Sequence, residues 1–146
     1  MLTTPHLLVG AAIGASVHNP IIVATGAAGS HFILDSVPHL GFFINVEDLG
    51  KKDILIVVGD VLLGLALLLV LTYHNPNAEM IYLGAFCAFL PDFHHTFQVL
   101  FGREKLQRYS KLHLRFHYKK HMKTLPGIAT QVLTIVAAIL VILRAA

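Results

Sequence analysis

The sequence predicts an all-α protein embedded in a membrane, and three observations carry that prediction. Hydrophobic residues make up 55% of the 146-residue chain and charged residues only 13%, about half the charge of an ordinary soluble domain. Apolar runs of membrane length occur, the clearest being the uncharged stretch Thr124–Leu143. Period-2 alternation, which a small membrane barrel requires, is absent, so helices are the only spanning structure left that satisfies its own backbone. The chain reads as one domain, residues 1–146, of about five helices: a short hairpin and three further membrane helices. A basic amphipathic helix at the interface completes the expected bundle.

The elements follow from local signals. Helix one is expected from about Pro5 to Val17, with its proline in the first turn. At about 18 Å it is too short to cross a bilayer alone. His18-Asn19-Pro20 ends it, and helix two runs from about Ile21 to Ser36. Small residues on both (Gly10, Gly14, Gly26, Gly29) predict close packing between the two. Pro38 disfavours helix at Val37, which puts His39 in an exit turn. Helix three is expected over about Asp53–Tyr73, and Asn75-Pro76 closes that region. Helix four begins near Ala78, kinks or breaks at Pro91, and continues towards Phe101. Residues 105–122 read as the interfacial helix, and Thr124–Leu143 as the final span.

The first charged residue is Asp35. With neither a basic leader nor a convincing cleavage site, the N-terminus reads as retained structure rather than a signal peptide. Cys87 stands alone, which excludes an internal disulfide and any multi-cysteine zinc site; it reads as a packing residue. Eight of the eleven lysines and arginines lie between Arg103 and Lys123. A basic cluster beside membrane helices marks the cytoplasmic side and favours anionic headgroups. Membrane lipids are therefore the expected partners, and nucleic acid is not. The expected location is the inner (plasma) membrane of a prokaryotic cell, multi-pass, with 103–123 cytoplasmic. Tracing the chain from that anchor brings His6, His31–His39, Asp92–His95 and His113–His121 to one face. Their convergence predicts a single composite site, set roughly 10 Å inside the helix ends.

His31, Asp35 and His39 form an H-x3-D-x3-H pattern, and spacings of four share a helical face. Imidazole with carboxylate suits a divalent transition metal. A buried carboxylate also needs a cationic partner, and no lysine or arginine is near in sequence. Asp35 is able to bridge two ions or to orient a histidine. Asp92 and His95, at i and i+3 after Pro91, form a second ligand pair, with His94 pointing elsewhere. On the basic segment Arg108, Lys111, Arg115 and Lys119 gather within about 80° of a helical wheel. His113, His117 and His121 face the other way, and His117 is the expected ligand. Asp60 is an intramembrane acid and a supporting candidate, and His6 opens helix one on the same face. His18 and His74 fall in turns at the opposite end.

The segments Thr4-Pro5-His6-Leu7-Leu8, Gly29–His39 and Leu90-Pro91-Asp92-Phe93-His94-His95 resemble small prokaryotic proteins known as predicted membrane-bound metal-dependent hydrolases, the YdjM-like group. By position His6, His31, Asp35, Asp92 and His95 match its motifs. Phe93-His94 stands where that group carries a second acid, and its H-x-G-x-T-H-S element is missing here. The resemblance implies a multi-helical membrane fold and metal-dependent hydrolysis.

The expected activity is thus hydrolysis of a phosphoester, of a lipid or another compound, at the cytoplasmic interface. Zinc is the expected metal, with manganese and iron as alternatives. His6, His31, Asp35, His39, Asp92, His95 and His117 are the candidate ligands, Asp35, Asp92 and Asp60 the candidate catalytic acids. Arg108, Lys111, Arg115 and Lys119 are candidates for phosphate or headgroup binding. The competing reading is a non-catalytic metal carrier or scaffold. Haem held by facing histidines is a third.

Overall fold

The computed structural model describes residues 1–40, 51–102, 104–118 and 124–145. These residues are helical throughout, with no strand among them. Helix α1 spans Thr3–Ser16, α2 Pro20–Ser36, α3 Lys51–Thr72 and α4 Ala78–Phe89. A 3-10 turn at Leu90–Asp92 leads into α5, Phe93–Phe101; α6 is Gln107–His113 and α7 Thr124–Arg144. Arg103, Lys119, Lys120, His121 and Lys123 of the basic segment lie outside the described residues, as do Glu47 and Asp48.

Helix α1 is the centre of the assembly. It touches α2, α3, α4 and α7, and ten of its fourteen residues are buried. A helix apolar on every side must be enclosed on every side, and α1 carries no charged residue over its whole length. Leu7, Leu8, Ala11 and Ala15 meet Ile81 and Ala85 of α4 and Ala138 and Ile142 of α7 in one core.

The small residues act differently from expectation. Gly10 and Gly14 of α1 receive α4 rather than α2. A Cβ at Gly10 or Gly84 would overlap the other's carbonyl oxygen, and one at Gly14 would overlap that of Met80. The i, i+4 glycine pair forms a groove that lets two backbones touch. In α2, by contrast, a Cβ at Gly29 would meet nothing and one at Gly26 only Ile13, at 3.7 Å. Helix α2 starts at an Asn19 cap, whose side chain accepts from the amides of Ile21 and Ile22, with Pro20 in the first turn.

Two helices are long and apolar enough to cross a membrane: Ile54–Thr72 within α3, and α7. They measure about 28 and 31 Å at 1.5 Å per residue, close to a hydrocarbon core of about 30 Å. Only 11% of the first span and 22% of the second is buried. Their large side chains face outward, Leu55 and Val70 at 75% exposure and Leu125 at 80%. That is the reverse of a soluble protein's core helix.

Two elements depart from the sequence reading. Among the described residues of the helix expected over 105–122, Gln107–His113 are helical and the chain turns through Leu114–Phe116; 119–122 lie outside them. A continuous helix would spend the Tyr118 amide on the carbonyl of Leu114; here it donates instead to the carbonyl of Asp35, at 2.8 Å. That carbonyl lies in the last turn of α2, where no helical partner remains. At the other site of interest, the 3-10 turn across Pro91 resets the helical phase of everything after it.

Candidate metal centre

Four elements deliver side chains to one point. Helix α2 brings His31 and Asp35 on one face, a turn apart, and the 3-10 turn brings Asp92. Helix α6 ends at His113, and the turn after it lowers His117 onto Asp35. The exit turn from α2 folds back so that His39 is buried at 4% exposure. It is pinned against α7, where the amide of Leu40 donates to the Gly127 carbonyl and Gln131 donates to the carbonyl of Leu40.

The geometry at that point is specific. His31 Nε2 lies 3.1 Å from Asp35 Oδ2 and 3.5 Å from Asp92 Oδ1. His113 Nε2 lies 3.3 Å from the same Asp35 oxygen and 3.4 Å from the same Asp92 oxygen. Yet His31 Nε2 and Asp35 Oδ2, both fully buried, make no hydrogen bond. Four donor atoms around a tetrahedral zinc at 2.0–2.1 Å would stand about 3.3–3.4 Å apart. Four of the six separations lie near that edge and all are within 4.8 Å, so His31, Asp35, Asp92 and His113 form a group that could hold a metal ion.

The surrounding bonds orient the donors. His31 Nδ1 lies 2.7 Å from the carbonyl of Ala88, His39 Nδ1 2.7 Å from that of Val37, and His94 Nδ1 2.8 Å from that of Pro91. A carbonyl only accepts, so each Nδ1 carries a proton and each ring is held with its Nε2 on the side away from that carbonyl. Burial, with the Met1 amino group adding to it, holds the His39 imidazole below its ordinary range. It is therefore neutral near pH 7, as a ligand must be.

The remaining candidates separate. His117 Nε2 sits 3.0 Å from Asp35 Oδ2 and joins Asp35 and His39 in a second group of convergent donors. His6 stacks on His31 at 4.1 Å between ring centroids, its Nε2 3.2 Å from the other Asp35 oxygen. The Met1 amino group lies 2.6 Å from that oxygen. His6 thus packs against the centre without entering either donor group.

His95 and Asp60 stand away from it. The His95 ring lies 6.1 Å from that of His113 and belongs to neither group, while His94 is the buried member of the pair, at 2% exposure. Asp60 accepts from the amides of Thr3 and Thr4 at 2.6 and 3.1 Å, and its carbonyl accepts from the Thr4 hydroxyl at 2.7 Å. It caps α1 from a neighbouring helix, filling a place where Leu2 offers no side-chain oxygen.

Arg108, Lys111 and Arg115 are exposed at the same end of the bundle, and Lys119 lies outside the described residues. His113 is the donor the sequence reading passed over in favour of His117. The signal was present, because both share the four-residue spacing opposite the basic face.

No protein-family model, curated protein or solved structure matches this chain.

Proposed function

We propose that this chain is a multi-pass protein of the prokaryotic inner membrane that binds a divalent transition metal, zinc before manganese or iron, and hydrolyses a phosphoester at the cytoplasmic interface. One observation carries the metal reading: His31, Asp35, Asp92 and His113 bring their donor atoms within 4.8 Å of one another, with four nitrogen–oxygen separations of 3.1–3.5 Å. A divalent ion held there supplies Lewis acidity and makes water a usable nucleophile near neutral pH. In this reading Asp92, 22% exposed against 1% for Asp35, would hold the ion through Oδ1 and offer its second oxygen to accept a proton from water. Asp35 holds the donors together, and Arg108, Lys111 and Arg115 draw the phosphoryl group to that end. The likeness of the His6, His31–His39 and Leu90–His95 segments to the YdjM-like hydrolases supports hydrolysis. Sidedness rests on the basic segment.

The closed, non-catalytic reading has its own support, since His31, Asp35 and His113 are almost wholly buried and structural sites are closed. Metal analysis of detergent-purified protein beside Asp35→Ala/Asp92→Ala, followed by phosphoester assays on p-nitrophenyl phosphate and phosphatidate vesicles, separates the readings. Bound metal lost in the double variant, with metal-dependent hydrolysis, supports the enzyme. Bound metal without hydrolysis favours a carrier or scaffold, and no metal removes both.

A further inference from the structure

Asp35 belongs to two donor groups at once. One is the tetrahedral set described above. The other is Asp35, His39 and His117, whose ligand atoms also lie within 4.8 Å of one another. We infer that the protein holds a second divalent ion on Asp35, His39 and His117, with the Asp35 carboxylate bridging the two ions. The inference rests on the metal reading of the first group.

Several independent features point to this second position. His39 is buried at 4% exposure, and its Nδ1 is committed to the Val37 carbonyl, so only Nε2 is left to ligate. His117 Nε2 lies 3.0 Å from the bridging oxygen and 3.0 Å from His113 Nε2, and its ring meets that of His39 edge-on at 6.1 Å between centroids. The Tyr118 amide, bonded to the Asp35 carbonyl, anchors the turn that carries His117. Three protein donors leave a coordination position open, and His117 is 20% exposed, so that position faces the accessible edge. Two ions sharing one carboxylate would stand about 3.5–4 Å apart, a spacing suited to clamping a phosphoryl group.

Charge then names the ligand class. Asp35 and Asp92 together balance one divalent ion. A second, beside the Met1 ammonium on Asp35, leaves an excess of about three positive charges in a buried setting, which a phosphate dianion offsets better than a monoanion. The expected substrate is therefore a phosphomonoester in preference to a diester.

The test loads chelator-stripped, detergent-purified full-length protein with Mn²⁺, desalts it, and measures metal per chain together with the electron paramagnetic resonance spectrum. Two ions per chain with an exchange-coupled spectrum are expected. His39→Ala and the milder His117→Ala should each bind one ion and show the six-line signal of isolated Mn²⁺. One ion per wild-type chain would overturn the inference and leave the first site standing. Two ions retained in both variants would overturn it as well. No bound ion in the wild type would overturn the metal reading itself.

Discussion

Asp35→Asn isolates the bridging charge from the shape of the side chain. The amide is nearly isosteric, so the packing around α2 is kept and only the anion is lost. Asp35 Oδ2 stands 3.0–3.3 Å from the Nε2 atoms of His31, His113 and His117. Removing one partner of a buried ionic contact costs about 3–5 kcal/mol. At roughly 1.4 kcal/mol per decade, this predicts metal binding weakened by at least about a hundredfold. Competition with a fluorescent zinc chelator reads that loss directly. Ser36→Ala is the control, since its exposed hydroxyl only donates back to the Ile33 carbonyl, and a surface change of that kind moves affinity by about twofold. If Asp35→Asn kept zinc affinity within roughly tenfold of wild type, with helicity intact, the carboxylate would not be a ligand. The histidines would then be a polar junction between helices.

The other predictions separate residues that the sequence leaves equivalent. His113→Ala should abolish stoichiometric binding at the tetrahedral set while His95→Ala retains it, measured as metal per chain. Asp60→Ala should leave metal content unchanged and lower thermal stability in detergent by about 0.5–2 kcal/mol, the range for a lost helix cap. Gly84→Leu, which drives a side chain into the backbone of α1, should destabilise the bundle by about 1–3 kcal/mol or more, with an exposed Gly29→Leu far milder. Chelation should raise amide hydrogen exchange across residues 104–118 more than across α1, because the metal ties that segment to the bundle.

What the sequence discloses here is set by how local each signal is. Pro20 behind Asn19, Asn75-Pro76 and Pro91 end or start helices through their own rings and side chains, and the helix limits they predict agree with the structure to within a few residues. The His31–Asp35 pairing is equally local, being one turn of one helix. The failures all involve a competing partner from elsewhere. The helix over 105–122 is cut short because Tyr118 finds the Asp35 carbonyl. Asp60 is drawn to amides of α1 that no residue near it in sequence would suggest. Gly10 and Gly14 serve α4 because the hairpin leaves that face of α1 to it. His113, carried in by a segment remote in sequence, stands beside Asp92, and neither His94 nor His95 joins a donor group.

The burial of Asp35 bears on why so many imidazoles surround it. A carboxylate taken out of water needs positive charge close by, and a neutral imidazole supplies none. The Met1 amino group meets one Asp35 oxygen at 2.6 Å, but the other oxygen and Asp92 meet only imidazoles among the described residues, and every lysine and arginine described at this end is exposed. Protonated histidines could serve, but several of them within 3–5 Å would repel one another. His39 and His31 each have one ring nitrogen committed to a backbone carbonyl, which leaves a single nitrogen on each ring to meet the carboxylates or an ion. A divalent ion satisfies the carboxylates, accepts the lone pairs and removes the crowding of unpaired atoms in one step. That economy is physical reason to look for metal at this centre before looking for a proton network, and it assigns the basic rim a separate task, that of meeting an anion from outside.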